Sequence, residues 1–350
     1  MDSNVQVKET KNKIRVDYEG KLSFKERMIK KLSASNTWIK VGINIARFIL
    51  MLGISFVILY PFFARIAGSF MSIDDVLDPT VALIPKEATL DIYKHLVVDN
   101  RYFEAMFNTV LLSLVCAVLQ TFVACLIGYG LAKFKFKGNK LLMLMVVLTM
   151  MIPHSTLELS MLRHFNSFDL AQVISWNYPS LISLLNGGKG IQITDTYWPL
   201  VILSLGGLAF KNGLYIYMMR QFFKGVPDEL EESAYIDGSG VFRTFIQIII
   251  PLSVPMMITI FLFAFSWQWT DEFYTTVFFI NPLDKLWLMP DVYTKIPVDL
   301  QVPNNTALDS AYSIVVKNTA GMMIIMPLII MYIFCQRYIV QGIERSGIVG

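Results

Sequence analysis

Charge is what this 350-residue chain has least of: Asp, Glu, Lys and Arg make up 16% of it, where a soluble domain of this size carries about 25%. That shortage, with 55% hydrophobic residues and a mean hydropathy of +0.53, argues against a water-soluble enzyme. Cysteine is scarce too, and Cys116, Cys125 and Cys335 all fall in apolar runs, where they act as small hydrophobes and not as metal ligands or disulfide staples. The only histidines, His95, His154 and His164, share no metal-ligand spacing, and no His, Cys or carboxylate cluster has catalytic spacing. A net charge of +3, dispersed along the chain, gives nucleic acid nothing to hold. The nearest approach to a phosphate loop, Gly187-Gly188-Lys189-Gly190, lacks both the first glycine and the Ser or Thr after lysine.

What the chain has is apolar length. A bilayer core of about 30 Å needs about 20 mostly apolar helical residues, because a lipid-embedded backbone must satisfy its own hydrogen bonds. Six stretches qualify: 43–68, 106–132, 141–162, 198–219, 252–269 and 314–334. The expected fold is therefore all-α, a polytopic membrane domain over 43–336 between a polar tail, 1–42, and a short tail, 337–350. The first stretch starts too far in, and is too long, for the apolar core of a secretory signal, so it reads as an uncleaved span. A weaker stretch, 170–185, is interrupted by Asn177 and Pro179 and reads as interfacial or re-entrant.

Basic residues orient the spans. With the N-terminus inside, the inner segments hold 20 of the 30 Lys and Arg, including ten before residue 41 and the run Lys133, Lys135, Lys137 and Lys140. The two large outer loops are acidic. Both termini are thus expected on the cytoplasmic side. The tail to residue 40 has ten bases against five acids and reads as a solvated segment that helps set topology.

One inner loop, 220–251, breaks the pattern: Asp228, Glu229, Glu231, Glu232 and Asp237 outnumber its bases. Pro227 suits a first helical position, the acids complement a positive helix N-terminus, and Gly238 suits a C-terminal turn of positive φ. A second helix is expected from Ser239. Glu232, Ser233, Ala234, Gly238 and Gly240 form a small-residue ridge beside a carboxylate, open to close approach by another protein.

This loop carries a resemblance. Glu232-Ser233-Ala234, three residues, Gly238, nine residues, Ile248, one residue, Ile250-Pro251 resembles the EAA, three, G, nine, I, one, LP motif of ABC importer permeases, with Ser233 for alanine and Ile250 for leucine. Asn108-Thr109 in the second span, Arg220-Gln221-Phe222-Phe223, Asp237-Gly238 and the tail Gln336-Arg337-Tyr338-Ile339-Val340-Gln341-Gly342-Ile343 are similar to the carbohydrate uptake, maltose-type, binding-protein-dependent branch. The chain ends Ser346-Gly347-Ile348-Val349-Gly350, without the lysine common in that branch. The likeness covers nearly everything except the polar N-terminus and two outer expansions, near 166–197 and 283–312.

The resemblance implies a type I importer permease: a non-enzymatic subunit that moves a carbohydrate, an oligosaccharide by preference, with a second related permease, two ATPase subunits and an extracellular sugar-binding lipoprotein. No cofactor belongs to this chain, since ATP and Mg would be held by the partner subunits. In such importers the loop helix docks on the ATPase, so Glu232 would be the polar contact, Ala234 the close-packing position and Gly238 the turn, with Ser233, Asp237, Ile248 and Pro251 completing the motif. Two alternatives stay open. The same machinery could carry another small polar solute, or the chain could be a secondary transporter, although no internal duplication is visible.

Polar groups inside spans are costly and point to a pathway. Lys211 and Asn212 lie mid-span four and Glu158 in span three, so lining of a translocation cavity competes with a structural Lys211–Glu158 pair. Trp267 and Asp271 near the outer end of span five suit a sugar, against the plainer reading of an interfacial aromatic belt.

Overall fold

The computed structural model describes residues 7–9, 15–17, 35–169, 190–280, 286–294 and 306–347. The chain divides into two units, Met1–Ala64 and Arg65–Gly350. In the first, β1 (Val7–Glu9) pairs antiparallel with β2 (Arg15–Asp17), and helix α1 (Ser35–Ser69) begins inside the stretch read as polar tail. Its apolar side chains from Ile39 to Phe63 are exposed, as suits a helix that meets lipid or another subunit.

The second unit is helical. Short α2 (Ile73–Leu77) and α3 (Asp91–Val98) precede the long α4 (Tyr102–Lys133). Then follow α5 (Asn139–Met151), a 3₁₀ turn (His154–Leu157), α6 (Glu158–Asn166), α7 (Trp198–Leu205) and α8 (Asn212–Lys224). Helix α9 (Glu229–Ile236) leads to α10 (Val241–Thr244), a π-helical turn (Phe245–Ile249) and α11 (Ile250–Trp269). The described remainder is α12 (Phe273–Phe278), α13 (Met289–Thr294) and α14 (Thr306–Gly347), which continues through the segment read as a separate tail.

Among the described residues, four helices are long and apolar enough to cross a membrane: Ile39–Ser69, Tyr102–Lys133, Val241–Trp269 and Leu308–Tyr338. These correspond to the first, second, fifth and sixth expected spans, and among the described residues the third and fourth are interrupted. The third expected span bends by 95° between Asn139–Met151 and His154–Asn166, and becomes a fifth only if that pair counts as one. The cause is Pro153: it offers no N–H and holds Ile152 extended, at φ −73°, ψ 120°. The fourth expected span breaks between α7 and α8, where Gly207 turns left-handed at φ 69° and the N–H groups of Leu208 and Ala209 both close on the Leu203 carbonyl. The expected interfacial stretch, 170–185, lies outside the described residues, as do parts of both outer expansions.

Helix α4 is the hub, packed against α7, α8 and α11. Its buried face alternates small and apolar residues, Ala105, Leu112, Cys116, Ala117, Ala124 and Gly128 among them. Small residues let helix backbones approach where lipid supplies no hydrophobic drive between helices. The closest approach is at Gly128, where an added Cβ would stand 2.6 Å from Met219 Cβ and 3.0 Å from the Arg220 nitrogen. Around this hub one core gathers Tyr129, Tyr215, Met219, Phe223, Phe245 and Ile260; another joins Leu96, Tyr102, Trp269, Met289 and Val315.

Polar side chains tie the far end of α4 to the 287–289 segment. Asn108 Nδ2 donates to the Trp287 carbonyl (3.1 Å) and Thr109 Oγ1 accepts from the Met289 N–H (3.0 Å), so the Asn-Thr pair is used as a staple. Trp269 Nε1 donates to the Ile324 carbonyl at 3.0 Å and joins α11 to α14.

Gly128→Ala is expected to destabilise the protein by about 1–3 kcal/mol, as overpacking does, whereas Gly130→Ala on the same helix, with nothing within 4 Å of the new Cβ, should be neutral or stabilising. Thermal unfolding of the detergent-solubilised variants measures this, and equal melting temperatures would contradict the close-contact role of Gly128.

Candidate functional site

The acidic loop forms a short helix, although its edges differ from the sequence reading. Glu229, not Pro227, takes the first helical position, with Asp228 at the N-cap and Glu231 and Glu232 also in the first turn. The C-terminus closes as a Schellman turn: Gly238 takes φ 80°, its N–H donates to the Tyr235 carbonyl (3.0 Å), and the Ser239 N–H donates to the Ala234 carbonyl (2.9 Å). The next helix starts at Val241, not Ser239, because Ser239 is engaged in that turn and Gly240 is extended, at φ −77°, ψ 162°.

The loop is fastened to the end of α4. Lys133 Nζ donates to the Val226 carbonyl and to Asp228 Oδ1, both at 2.6 Å, and Arg220 Nε donates to the Leu131 carbonyl at 3.3 Å. The Lys133 side chain is only 7% exposed while its partner Asp228 is 76% exposed, so the lysine reaches out from the core to grip the loop. This hydrogen bond holds the Asp228 carboxyl below its ordinary range.

Successive glutamates of α9 face opposite ways. Glu231 and Ala234 are buried, with Glu231 beside Tyr129, whereas Glu232, Ser233, Asp237 and Gly238 are exposed. Ala234, expected as the close-packing position for a partner, is therefore already covered by its own chain: the i, i+3 spacing from Glu231 places both on the inward face. Ile248 is half-buried in the π-helical turn and Pro251 sits at the start of α11, where a missing N–H costs nothing. The sequence reading missed Ile236 and Phe242, large apolar side chains that are 86% and 73% exposed beside the turn. The signal was available: neither fits the buried stripe set by Glu231, Ala234, Thr244 and Phe245.

The second place of interest is where the two breaks meet. Residues of both, from Thr149 to Phe168 and from Ile202 to Leu214, line one cavity of about 660 Å³. Non-helical backbone at membrane depth persists only where protein covers it or a polar cavity receives it. Lys211 is held left-handed, φ 67°, at the cap of α8. Its ammonium lies 4.7 Å from the Phe210 ring centre and 4.9 Å from that of Trp267. The Tyr274 hydroxyl and His154 Nδ1 are hydrogen-bonded at 2.9 Å, and the His154 and Phe210 rings stand 4.8 Å apart.

The structure thus brings Lys211 and Trp267 together, and Asp271 sits nearby with Oδ1 accepting the Tyr274 N–H at 3.3 Å. Asn212 is fully buried, with neither amide atom hydrogen-bonded among the described residues. Glu158 is exposed at the start of α6 and forms no ion pair with Lys211. His154, Phe210 and Tyr274, which sequence reading passed over, complete the cluster because the bend at Pro153 swings His154 toward α12.

Burial raises the Glu231 carboxyl above its ordinary range, because removal from water disfavours the charged form. Stability tied to that proton is present below the ordinary value and lost as pH rises through the raised one; for Asp228 the sign is opposite, with stability lost as pH falls through its lowered value. Glu231→Gln is accordingly expected to raise the melting temperature, by more at about pH 8 than at about pH 5. A Glu231→Gln variant that melts below the wild-type protein at the higher pH would contradict the buried-carboxyl reading.

Three comparisons fit this geometry. Residues 105–345 match the family described as "Binding-protein-dependent transport system inner membrane component". The chain is 24% identical over 294 residues (83% of this chain, 92% of the relative) to the polygalacturonan/rhamnogalacturonan transport system permease protein YtcP of Bacillus subtilis (strain 168). It is 26% identical over 307 residues (87% and 94%) to the galactooligosaccharides transport system permease protein GanQ of the same strain. Among solved structures, it is similar to a bacterial ABC transporter involved in the import of the acidic polysaccharide alginate, at TM-score 0.60 and 22% identity, covering 91% of this chain and 98% of that one. With well over half its length matched, from the hub helix through the acidic loop to the last span, this chain belongs to the family of binding-protein-dependent transport system inner membrane components.

Proposed function

We propose that the chain is the permease half of an ATP-driven carbohydrate importer, oligosaccharide being the preferred cargo, as in the relatives named above. It works with a second, related permease, two ATPase subunits that hold the ATP and Mg, and an extracellular sugar-binding lipoprotein. The chain itself performs no chemistry. The 220–251 loop and both termini face the cytoplasm, in accord with the excess of basic residues on the inner segments as a whole, to which this loop is the acidic exception.

The observation that carries this reading is the exposed ridge of α9, held rigidly from behind. Glu232 and Ser233 offer polar contacts, and Ile236 and Phe242 offer apolar ones to an ATPase surface. Lys133 and Arg220 tie the loop to α4, and the continuous run from Val241 to Trp269 ties it to α11. When the ATPase pair closes, a push on α9 moves α4 and α11 together, and the breaks at Pro153 and Gly207 are where the bundle gives. Gly238 matters through its φ and not through space, since nothing lies within 4 Å of a Cβ there.

Glu232→Lys and Ile236→Asp are expected to abolish sugar uptake by whole cells and the co-purification of the ATPase while membrane insertion persists. Normal uptake with the ATPase still bound would overturn the docking role. Gly238→Val should cost about 1–2 kcal/mol through the left-handed turn and reduce uptake, whereas Gly238→Asn, which tolerates that conformation, should retain most of it. Uptake should stop with vanadate and survive an uncoupler; the reverse would identify a secondary transporter.

A further inference from the structure

The cavity at the two breaks has an imbalance of charge. Its lining carries the Lys211 ammonium, the His154 and His164 imidazoles and the Thr149 and Ser160 hydroxyls, and no carboxylate. The carboxylates on neighbouring elements stand off the lining: Glu158 is exposed, and Asp271, whose Oδ1 accepts a backbone N–H of α12 while its Oδ2 is buried without a hydrogen bond, lies beyond ion-pair distance of Lys211. Among the described residues Lys211 has no acidic side chain within ion-pair distance. A cation kept at membrane depth without a counter-charge is costly unless something else supplies the negative charge.

The surroundings of Lys211 are built. The ammonium lies against Phe210 and Trp267, whose ring centres are 5.4 Å apart, and the backbone is fixed left-handed at the only such non-glycine residue of this break. Trp267 keeps 48% of its surface exposed, with the Lys211 ammonium over its ring, and stands beside the cavity lining, not in it. Behind the lysine, the buried Asn212 amide finds no hydrogen-bond partner among the described residues; its Nδ2 would stand 3.9 Å from a Cβ at Gly207, a lining residue. The volume, about 660 Å³, falls within the roughly 300–1,000 Å³ of small-molecule sites. A sugar ring offers one apolar face, many hydroxyls and, if oxidised at its terminal carbon, one carboxylate; aromatic faces, imidazoles and a single unpaired ammonium complement all three.

We infer that the cavity beside the broken fourth span is a cargo subsite for an acidic saccharide, with Lys211 pairing with a uronate carboxylate while Trp267 and Phe210 border the ring. The inference rests on the carbohydrate-import reading above and narrows it from sugars in general to those bearing a carboxylate. The cation also favours movement past the membrane midplane, because one mobile carboxylate is neutralised there and released when the breaks rearrange.

The test uses proteoliposomes holding the complete importer and its binding protein, with labelled trigalacturonate and oligoguluronate set against neutral galactotriose and maltotriose. Acidic saccharides are expected to be taken up, Lys211→Gln to lower that uptake at least tenfold, and Lys211→Arg to retain most of it, each variant still co-purifying with the ATPase. Trp267→Ala is expected to weaken uptake of the same compounds, which keeps the test informative if Lys211→Gln fails to assemble. Uptake of the neutral saccharides and not of the acidic ones, or acidic uptake that is unchanged in Lys211→Gln, would overturn the acidic subsite and leave carbohydrate import standing. Uptake of no saccharide, with another solute carried, would take down the underlying reading. Acidic uptake unchanged in Lys211→Gln while bound anionic lipid falls would assign the cation to a lipid headgroup and overturn the inference.

Discussion

Backbone amides cannot go unpaired in hydrocarbon, and this constraint organises the protein. Where the sequence lets helices run, as in α4 and Val241–Trp269, the amides satisfy themselves and the helices serve as stiff members. Where Pro153 and the pair Gly206-Gly207 interrupt that run, the freed groups need protein or a polar space beside them. Both interruptions line the same cavity, so the lesions in two spans share one remedy. The two breaks thus turn backbone toward one shared space, whose side-chain lining is mainly apolar.

The loop end of the molecule answers a mechanical demand with a few strong contacts. An exposed helix of eight residues has little stability of its own, since isolated short helices are marginal in water. Its acid-rich first turn, the Schellman closure at Gly238 and the two 2.6 Å bonds from Lys133 replace the missing length. Lys133 does the most here, because one buried stem holds both a carbonyl and a carboxylate ahead of the helix and so fixes its starting point relative to α4. The exposed face is then free of structural duty, and can be shaped by whatever it meets.

The sequence was most legible where the rules are local. Apolar length located the first, second, fifth and last spans, and the spacing from Glu232 to Pro251 located the loop helix and its glycine turn. It was least legible where an outcome depends on direction. Ala234 looked free for a partner because small size was legible and facing was not; three residues from Glu231, it turned inward with it. Pro153 announced a disturbance but not a 95° bend, since many membrane helices carry a proline and continue, as this chain does at Pro61, Pro255 and Pro327. Pro153 differs in having its preceding residue extended. The meeting of Lys211 with His154, Trp267 and Tyr274 joins four elements, and nothing in their spacing along the chain foretells it.

The π-helical turn at Phe245–Ile249 has a further geometric meaning. It holds one residue more than an α-helical turn would, and each residue of an α-helix advances the rotation by about 100°. The extra residue therefore sets the phase between the loop and α11: without it, the same side chains would present the ridge of α9 on a different bearing around the helix axis. The nine-residue interval between Gly238 and Ile248 is in this sense an angular specification, the setting that fixes the bearing of the exposed face of α9 relative to α11.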